Sequence, residues 1–137
     1  MILTIEQVHD IFRKMSSFGK RTQEEELNFL LSLWNDLPEP KNKQPEQISN
    51  WIIDCIFNNL FDNKYYIQAK EWALRALNND TAQEGAYEYF QMGRVCYELE
   101  EYDEAMKYFS IAYDRGKKRA FKEFDKKYWE FYSKNKK

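Results

Sequence analysis

The sequence predicts an all-α protein, a stack of about six or seven helices arranged as antiparallel pairs. Three observations support this fold class. Only 4 glycines and 3 prolines interrupt 137 residues, which favours long helices over many short strands. Apolar residues recur at helical spacing, and no long stretch alternates apolar and polar residues as a strand does. One helical pattern also recurs after 36 residues, which is typical of paired-helix repeats.

The first two helices are predicted from their end signals. The first helix runs from Ile5 to Phe18, with Thr4 as its N-cap and Gly19 closing it. The second helix begins at Thr22–Glu25, a capping box in which the threonine hydroxyl and the glutamate carboxylate satisfy free amides. It stops before Pro38, because a proline disfavours helical geometry in the residue that precedes it.

A polar loop, residues 38–45, follows and is predicted to act as a hinge. The remaining predicted helices cover residues 46–62, 64–79, 83–99, 102–115 and, at the end, Asp125 to Ser133. We therefore expect one helical domain over residues 1–137. Its parts are an N-terminal helix pair (1–37), two helix hairpins (46–116) and a basic, aromatic C-terminal cap (117–137).

The internal repeat consists of two similar segments, Tyr66–Leu77 and Tyr102–Tyr113. Tyrosine matches tyrosine, alanine matches alanine twice, and Trp72 matches Tyr108. A single repeat of this kind cannot bury both of its faces, so neighbours or caps are needed. We assign the aromatic residues of the C-terminal segment mainly to capping the last repeat.

The helix before the second copy, Tyr89 to Tyr97, resembles the first helix of a tetratricopeptide repeat. Gly93 and Ala105 are small where the two helices of a hairpin must approach closely. We interpret residues 86–116 as a tetratricopeptide-like repeat and residues 50–79 as a weaker copy, in which Phe57 stands in the place of Gly93.

Composition and charge restrict the function classes. Hydrophobic residues make up 43% and charged residues 32%, and no apolar run is long enough to span a membrane. The N-terminus shows no export signal, so we expect a cytoplasmic protein with no membrane contact. Residues 114–137 carry ten basic and four acidic residues, which leaves 11 basic and 19 acidic residues in the remainder. An acidic body of this kind indicates a basic partner rather than nucleic acid, although solvated helix faces would show the same charges.

No pattern in the chain indicates catalysis, a cofactor or a metal site. His9 is the single histidine and has no second histidine at metal-binding spacing. Cys55 and Cys96 are expected to be free, buried thiols within helices, with a disulfide or metal role as the alternative. A cluster of carboxylates near residues 98–104 sits at a repeat turn, where solvated acids are usual. We therefore expect a protein that is not an enzyme.

Binding then has to come from the first helices of the two hairpins, which line the inner surface of paired-helix repeats. The predicted partner surface combines acidic, aromatic and a few other polar residues, which suits protein recognition. For Trp51, Phe61 and Tyr87, packing between helices is an alternative of equal weight to contact with a partner. The predicted partner-binding residues are Trp51, Asp54, Asn58, Phe61, Asp62, Tyr87, Phe90, Arg94, Tyr97 and Glu98.

The layout of roughly residues 34–132 resembles a group of small bacterial tetratricopeptide-like proteins. The elements that carry the resemblance are the Leu37–Pro40 loop, Trp51-Ile52 at a helix start, the repeat of residues 86–116, Ala120-Phe121 and Lys127–Phe131. Such proteins resemble immunity proteins encoded beside polymorphic or contact-dependent toxins.

The resemblance implies that the chain binds and blocks a cognate toxin domain, one to one, in the cytoplasm of the producing cell or its siblings. A basic nuclease domain would suit the acidic body. The alternative is a general tetratricopeptide adaptor or co-chaperone. Chaperone-tail adaptors use lysine and asparagine as a carboxylate clamp, whereas here only Asn58 fits and Asp54 and Phe90 stand where lysines are wanted.

Overall fold

Seven α-helices follow one another in the part of the chain that the computed structural model describes, residues 1–16, 21–79 and 85–136. No β-strand occurs in these residues, so the predicted all-α stack is confirmed. The helices are α1 (Ile5–Ser16), α2 (Gln23–Asp36), α3 (Ile48–Asp62), α4 (Tyr66–Asn79), α5 (Tyr87–Glu98), α6 (Tyr102–Gly116) and α7 (Lys126–Asn135). Short 3₁₀ turns cover Lys41–Lys43, Pro45–Gln47 and Lys117–Phe121.

The first two helices begin at the predicted caps. Thr22 Oγ1 accepts a hydrogen bond from the Glu25 amide at 3.1 Å, and Glu25 Oε1 accepts from the Thr22 amide at 3.4 Å. Thr4 and Gln7 form the same reciprocal pair, at 3.1 and 2.8 Å. Each pair satisfies amides that the first turn of a helix leaves without an intrahelical acceptor. The predicted stop at Gly19 lies outside the described residues.

The loop after α2 differs from the predicted hinge, because a buried side chain ties it to the N-terminus. Gln44 is buried, and its Oε1 accepts a hydrogen bond from the Leu3 amide at 2.9 Å. Its Nε2 lies 2.9 Å from Met1 O, 3.1 Å from Pro38 O and 3.2 Å from Pro40 O. These bonds hold the start of the chain, the loop and the entry to α3 together.

The helices stack in chain order from α2 to α6. The closest pairs are α3 with α4 and α5 with α6, as predicted for the two hairpins, and α2 packs on α3 as α4 packs on α5. The packing of α1 and α2 differs from that of the later helix pairs. Within the described residues α1 lies closest to the Pro45–Gln47 turn and not to α2, so these two helices do not form a close hairpin.

A glycine allows the close contact between α5 and α6. A Cβ atom built on Gly93 would lie 2.6 Å from Phe109 Cδ1 and 2.7 Å from its Cε1. Phe109 is fully buried, and so are Ala105 and Ala112 on the same helix. In the first hairpin, Phe57 occupies the corresponding position and is itself buried. The predicted role of small residues at the α5–α6 contact is confirmed.

The C-terminal segment covers the last hairpin with aromatic rings. The Asp125 side chain caps α7 by accepting from the Lys127 amide at 3.0 Å. Phe121, Tyr128 and Tyr132 are buried, and they surround α6 and the end of α5. This is the capping role predicted for the segment. None of the described helices has the length and apolar content that crossing a membrane requires.

Candidate protein-binding cleft

A cleft opens where α3, α4 and the start of α5 meet. Its volume is about 360 Å³. Ile53, Phe57 and Ala73 contribute apolar lining, while Trp51 and Tyr87 contribute large exposed rings. Acidic lining comes from α3 and α5, so the surface is both apolar and negatively charged. We call it the α3–α5 cleft.

Five polar side chains next to this cleft form a closed ring of hydrogen bonds between α3 and α5. Tyr87 OH donates to Asp54 Oδ1 at 2.7 Å and accepts from Gln91 Nε2 at 2.7 Å. Arg94 Nε donates to Gln91 Oε1, and its NH2 donates to Asn58 Oδ1 at 3.2 Å. Asn58 Nδ2 closes the ring by donating to Asp54 Oδ2 at 3.3 Å. The ring therefore fixes the rotamers of one wall of the cleft.

The guanidinium of Arg94, a member of the hydrogen-bonded ring, packs on two aromatic rings. Its Cζ lies 4.1 Å from the centre of the Phe61 ring and 5.1 Å from that of Phe124. Burial lowers the pKa of Arg94, yet a guanidinium remains charged at physiological pH. Burial, together with the Asp54 carboxylate, raises the pKa of the Tyr87 hydroxyl, which therefore keeps its proton and donates it.

The structure brings several of the predicted partner-binding residues together. Trp51, Asp54 and Tyr87 line the cleft, and Trp51 is 55% exposed. Asn58 and Arg94 stand behind them in the hydrogen-bonded ring. The first three residues are therefore accessible to a partner, and the other two hold them in position.

Other predicted residues lie elsewhere. Asp62 is exposed, beside Asn58 in a shallower depression near α2. Phe61 is buried beneath Arg94, which is the packing alternative stated for it above. Neither residue lines the α3–α5 cleft.

Phe90 is in the core, and the prediction that it contacts a partner is wrong. It is 0% exposed, and its ring stacks on that of Phe124 with centroids 4.2 Å apart. Phe90 precedes Gly93 by three residues, so both lie on the same face of α5 and point toward α6 and the cap.

Tyr97 and Glu98 serve the C-terminal cap. The Tyr97 ring meets the Tyr128 ring edge-on at 5.4 Å and the Phe131 ring at 5.1 Å. Glu98 Oε1 accepts from Tyr128 OH at 2.8 Å and forms an ion pair with Lys127. Both residues are half-buried beneath α7, so α7 already occupies the surface that was predicted for a partner.

Sequence reasoning missed Gln91, the buried member of the hydrogen-bonded ring. A periodicity signal was present, because Tyr87, Gln91 and Arg94 follow one another at spacings of four and three residues on one helix face.

The single histidine and the two cysteines lie on three different helices. His9 is exposed on α1, where its Nε2 lies 3.5 Å from Glu46 Oε1. Cys55 belongs to α3 and Cys96 to α5, and both are free. Cys96 is buried as predicted, whereas Cys55 is only half-buried.

One group of potential metal ligands occurs among the described residues, at the turn between α5 and α6. It consists of Cys96, Glu101 and Glu104. The ammonium of Lys70 lies 2.7 Å from Glu101 Oε1 and 3.4 Å from Glu104 Oε2, so a lysine already supplies the positive charge there. The arrangement is an ion-pair network that joins α4 to α6.

Both thiols should react slowly in the folded protein. Burial raises the pKa of Cys55 to about 11 and that of Cys96 to about 12, so at pH 8 each is almost entirely protonated, and the thiolate is the reactive form. With Ellman's reagent at pH 8 we expect reaction roughly 100-fold slower than in denaturant. Rapid modification of one thiol in the native protein would contradict this placement.

The chain was compared with known proteins on three levels. No protein-family model, no curated protein and no solved structure matches it.

Proposed function

We propose that the chain is a binding protein that neutralises a basic toxin domain by docking it, one to one, at the α3–α5 cleft. The observation that carries this proposal is the exposed Trp51 ring beside the Asp54 carboxylate in a cleft with an apolar floor. The resemblance of the Leu37–Pro40 loop, the repeat and the C-terminal ending to immunity proteins supports a toxin as the partner. The proposed place of action is the cytoplasm of the producing cell.

Trp51 has the features of an interface anchor. It is the most exposed of the large apolar side chains in the cleft, and Phe12 of α1 meets its ring edge-on at 6.1 Å and 84°. A ring that is held by its neighbours loses little conformational entropy on binding. Tryptophan is also among the residues that contribute most binding energy at protein interfaces.

Asp54 supplies the charge that favours a basic partner. Its two oxygens accept from Tyr87 and Asn58, and each carboxylate oxygen has further lone pairs to offer. An arginine or lysine of the partner that enters the cleft would meet an acceptor already held in place. Glu88 lines the same cleft and adds a second carboxylate.

The charge of the whole body supports fast association. Residues 1–113, which include every residue that lines the cleft, hold 19 acidic and 11 basic residues and so carry a net charge of −8. Complementary fields raise association rates, and added salt screens them. Speed matters to an immunity protein because a free toxin causes damage before binding reaches equilibrium.

The decisive test is co-expression with the product of the adjacent gene. We expect that product to be toxic alone and harmless with this protein. Trp51→Ala should then weaken binding by roughly 30-fold or more, measured by surface plasmon resonance, because it removes the central anchor. Tyr65→Ala is the matched control, since Tyr65 is 46% exposed and lies outside the cleft.

Two results would count against the proposal. If the neighbouring product is harmless alone, or kills equally well in the presence of this protein, the toxin assignment fails and a general adaptor takes its place. If a complex forms and Trp51→Ala and Tyr65→Ala bind equally well, the partner contacts another surface.

A further inference from the structure

The C-terminal segment contains a second cleft, between the Lys117–Phe121 turn and α7. Its volume is about 530 Å³. The floor is aromatic and the rim is strongly basic, with a single carboxylate from Glu130. The lining residues that define this basic cleft are Lys118, Arg119, Phe121, Lys122, Phe124, Lys126, Trp129 and Glu130.

The four basic side chains of the rim are exposed and lack acidic partners. None of Lys118, Arg119, Lys122 and Lys126 forms an ion pair with any acidic group in the part of the chain described. The adjacent Lys127 differs, because it pairs with Glu98 and holds α7 in place. The rim therefore concentrates positive charge that no ion pair among the described residues neutralises, and an anionic ligand would be attracted to it.

The aromatic floor is fixed by internal stacking. Each of its three rings lies against another ring of the chain: Trp129 on Tyr113 (6.0 Å, 28°), Phe121 on Tyr132 (5.4 Å, 20°) and Phe124 on Phe90 (4.2 Å, 30°). Lys118 also lies 5.2 Å from the centre of the Trp129 ring. The floor thus offers apolar contact, but its ring faces are already largely engaged.

We infer that the basic cleft binds a short acidic segment of a partner protein, with one apolar side chain seated on the Phe124–Trp129 floor. A single-stranded nucleic acid is the less suitable anion, because its bases need free aromatic faces on which to stack. The net charge of −2 and the acidic body also oppose a long polyanion that would extend beyond the four basic residues. A short acidic peptide meets neither obstacle.

This site has the opposite charge to the α3–α5 cleft and does not rest on the toxin assignment. The two clefts are nevertheless neighbours, since the Tyr87 and Phe124 rings that line them lie 6.4 Å apart. One partner could engage both, and two partners could bind separately. The test therefore uses a synthetic ligand and does not need the toxin.

The experiment measures binding of a short fluorescent peptide with Asp and Glu on both sides of a central Leu-Phe. Fluorescence anisotropy on the full chain should show saturable binding that weakens with added salt. The variant Lys118→Gln, Lys122→Gln, Lys126→Gln should bind at least roughly tenfold more weakly, since it removes three rim charges.

A matched control removes equal charge elsewhere. Lys64→Gln, Lys107→Gln, Lys134→Gln changes three exposed lysines outside the basic cleft and should bind within roughly twofold of the original chain. Circular dichroism should show the same helix content in all three proteins. If both variants lose affinity equally, the attraction is diffuse and the site is not specific.

Other results would also overturn the inference. If the peptide does not bind saturably at low salt, the proposed peptide site is wrong. An oligothymidine of equal charge that binds as tightly as the peptide would identify nucleic acid as the ligand. Self-association in sedimentation experiments that the cleft variant abolishes would identify a second copy of the chain as the occupant.

Discussion

Replacing Phe90 with alanine should lower the free energy of unfolding by about 3–5 kcal/mol. The ring is fully buried and lies at the centre of an aromatic cluster. Its centroid is 4.2 Å from that of Phe124, 5.1 Å from Phe121 and 5.4 Å from Phe109. Removing it leaves a cavity that such rigid neighbours cannot readily fill, so the loss exceeds the transfer free energy of the side chain alone.

Urea denaturation followed by circular dichroism measures this effect. Trp51→Ala is the natural control, because its ring is largely exposed and its removal should cost below about 1 kcal/mol. The two variants should thus show opposite behaviour, with Phe90→Ala impairing the fold and Trp51→Ala impairing partner binding. If Phe90→Ala keeps its full stability and only weakens binding, Phe90 is an anchor after all.

The second large effect is expected at Gly93. A methyl group there would lie 2.6 Å from Phe109 Cδ1, well inside van der Waals contact, and the ring is buried on all sides. Alanine is favoured over glycine within a helix by about 1 kcal/mol. Overpacking of the α5–α6 contact should outweigh that gain and leave Gly93→Ala less stable by about 1–3 kcal/mol.

Two further variants separate the steric cause from a general effect of the substitution. Gly85→Ala should change stability little, because its added Cβ would meet only Glu88 Oε2 at an ordinary 3.6 Å. Combining Gly93→Ala with Phe109→Leu should cost less than the sum of the single changes, since the smaller side chain makes room for the methyl group. Additive losses in thermal and chemical denaturation would show that the contact is not the cause.

Local signals in the sequence predicted most of the fold. The apolar periodicity and end signals such as Thr4 and Thr22 depend on residues within one or two turns, and the structure contains a helix at each predicted place. The resemblance of Tyr89–Tyr97 to the first helix of a tetratricopeptide repeat also predicted correctly that Gly93 is a point of close approach. These features need no knowledge of the tertiary arrangement.

The candidate site was predicted less completely, for a physical reason. The spacing of three residues between Phe90 and Gly93 places Phe90 on the helix face toward α6, but Phe121 and Phe124, which complete its burial, lie more than thirty residues later in the chain. Glu98 likewise receives its partners from α7. Helix periodicity places residues on a face, but it cannot show which later segment covers that face.

The hydrogen-bonded ring between α3 and α5 restricts how this protein can diverge. Donors and acceptors alternate around Asp54, Tyr87, Gln91, Arg94 and Asn58, and each member is bonded to two others. A substitution at one position therefore leaves both of its neighbours in the ring without one hydrogen-bond partner, which costs free energy because the groups are partly buried. We expect homologous chains to keep these five residues together or to replace them as a set, so covariation among them would mark proteins that share this cleft.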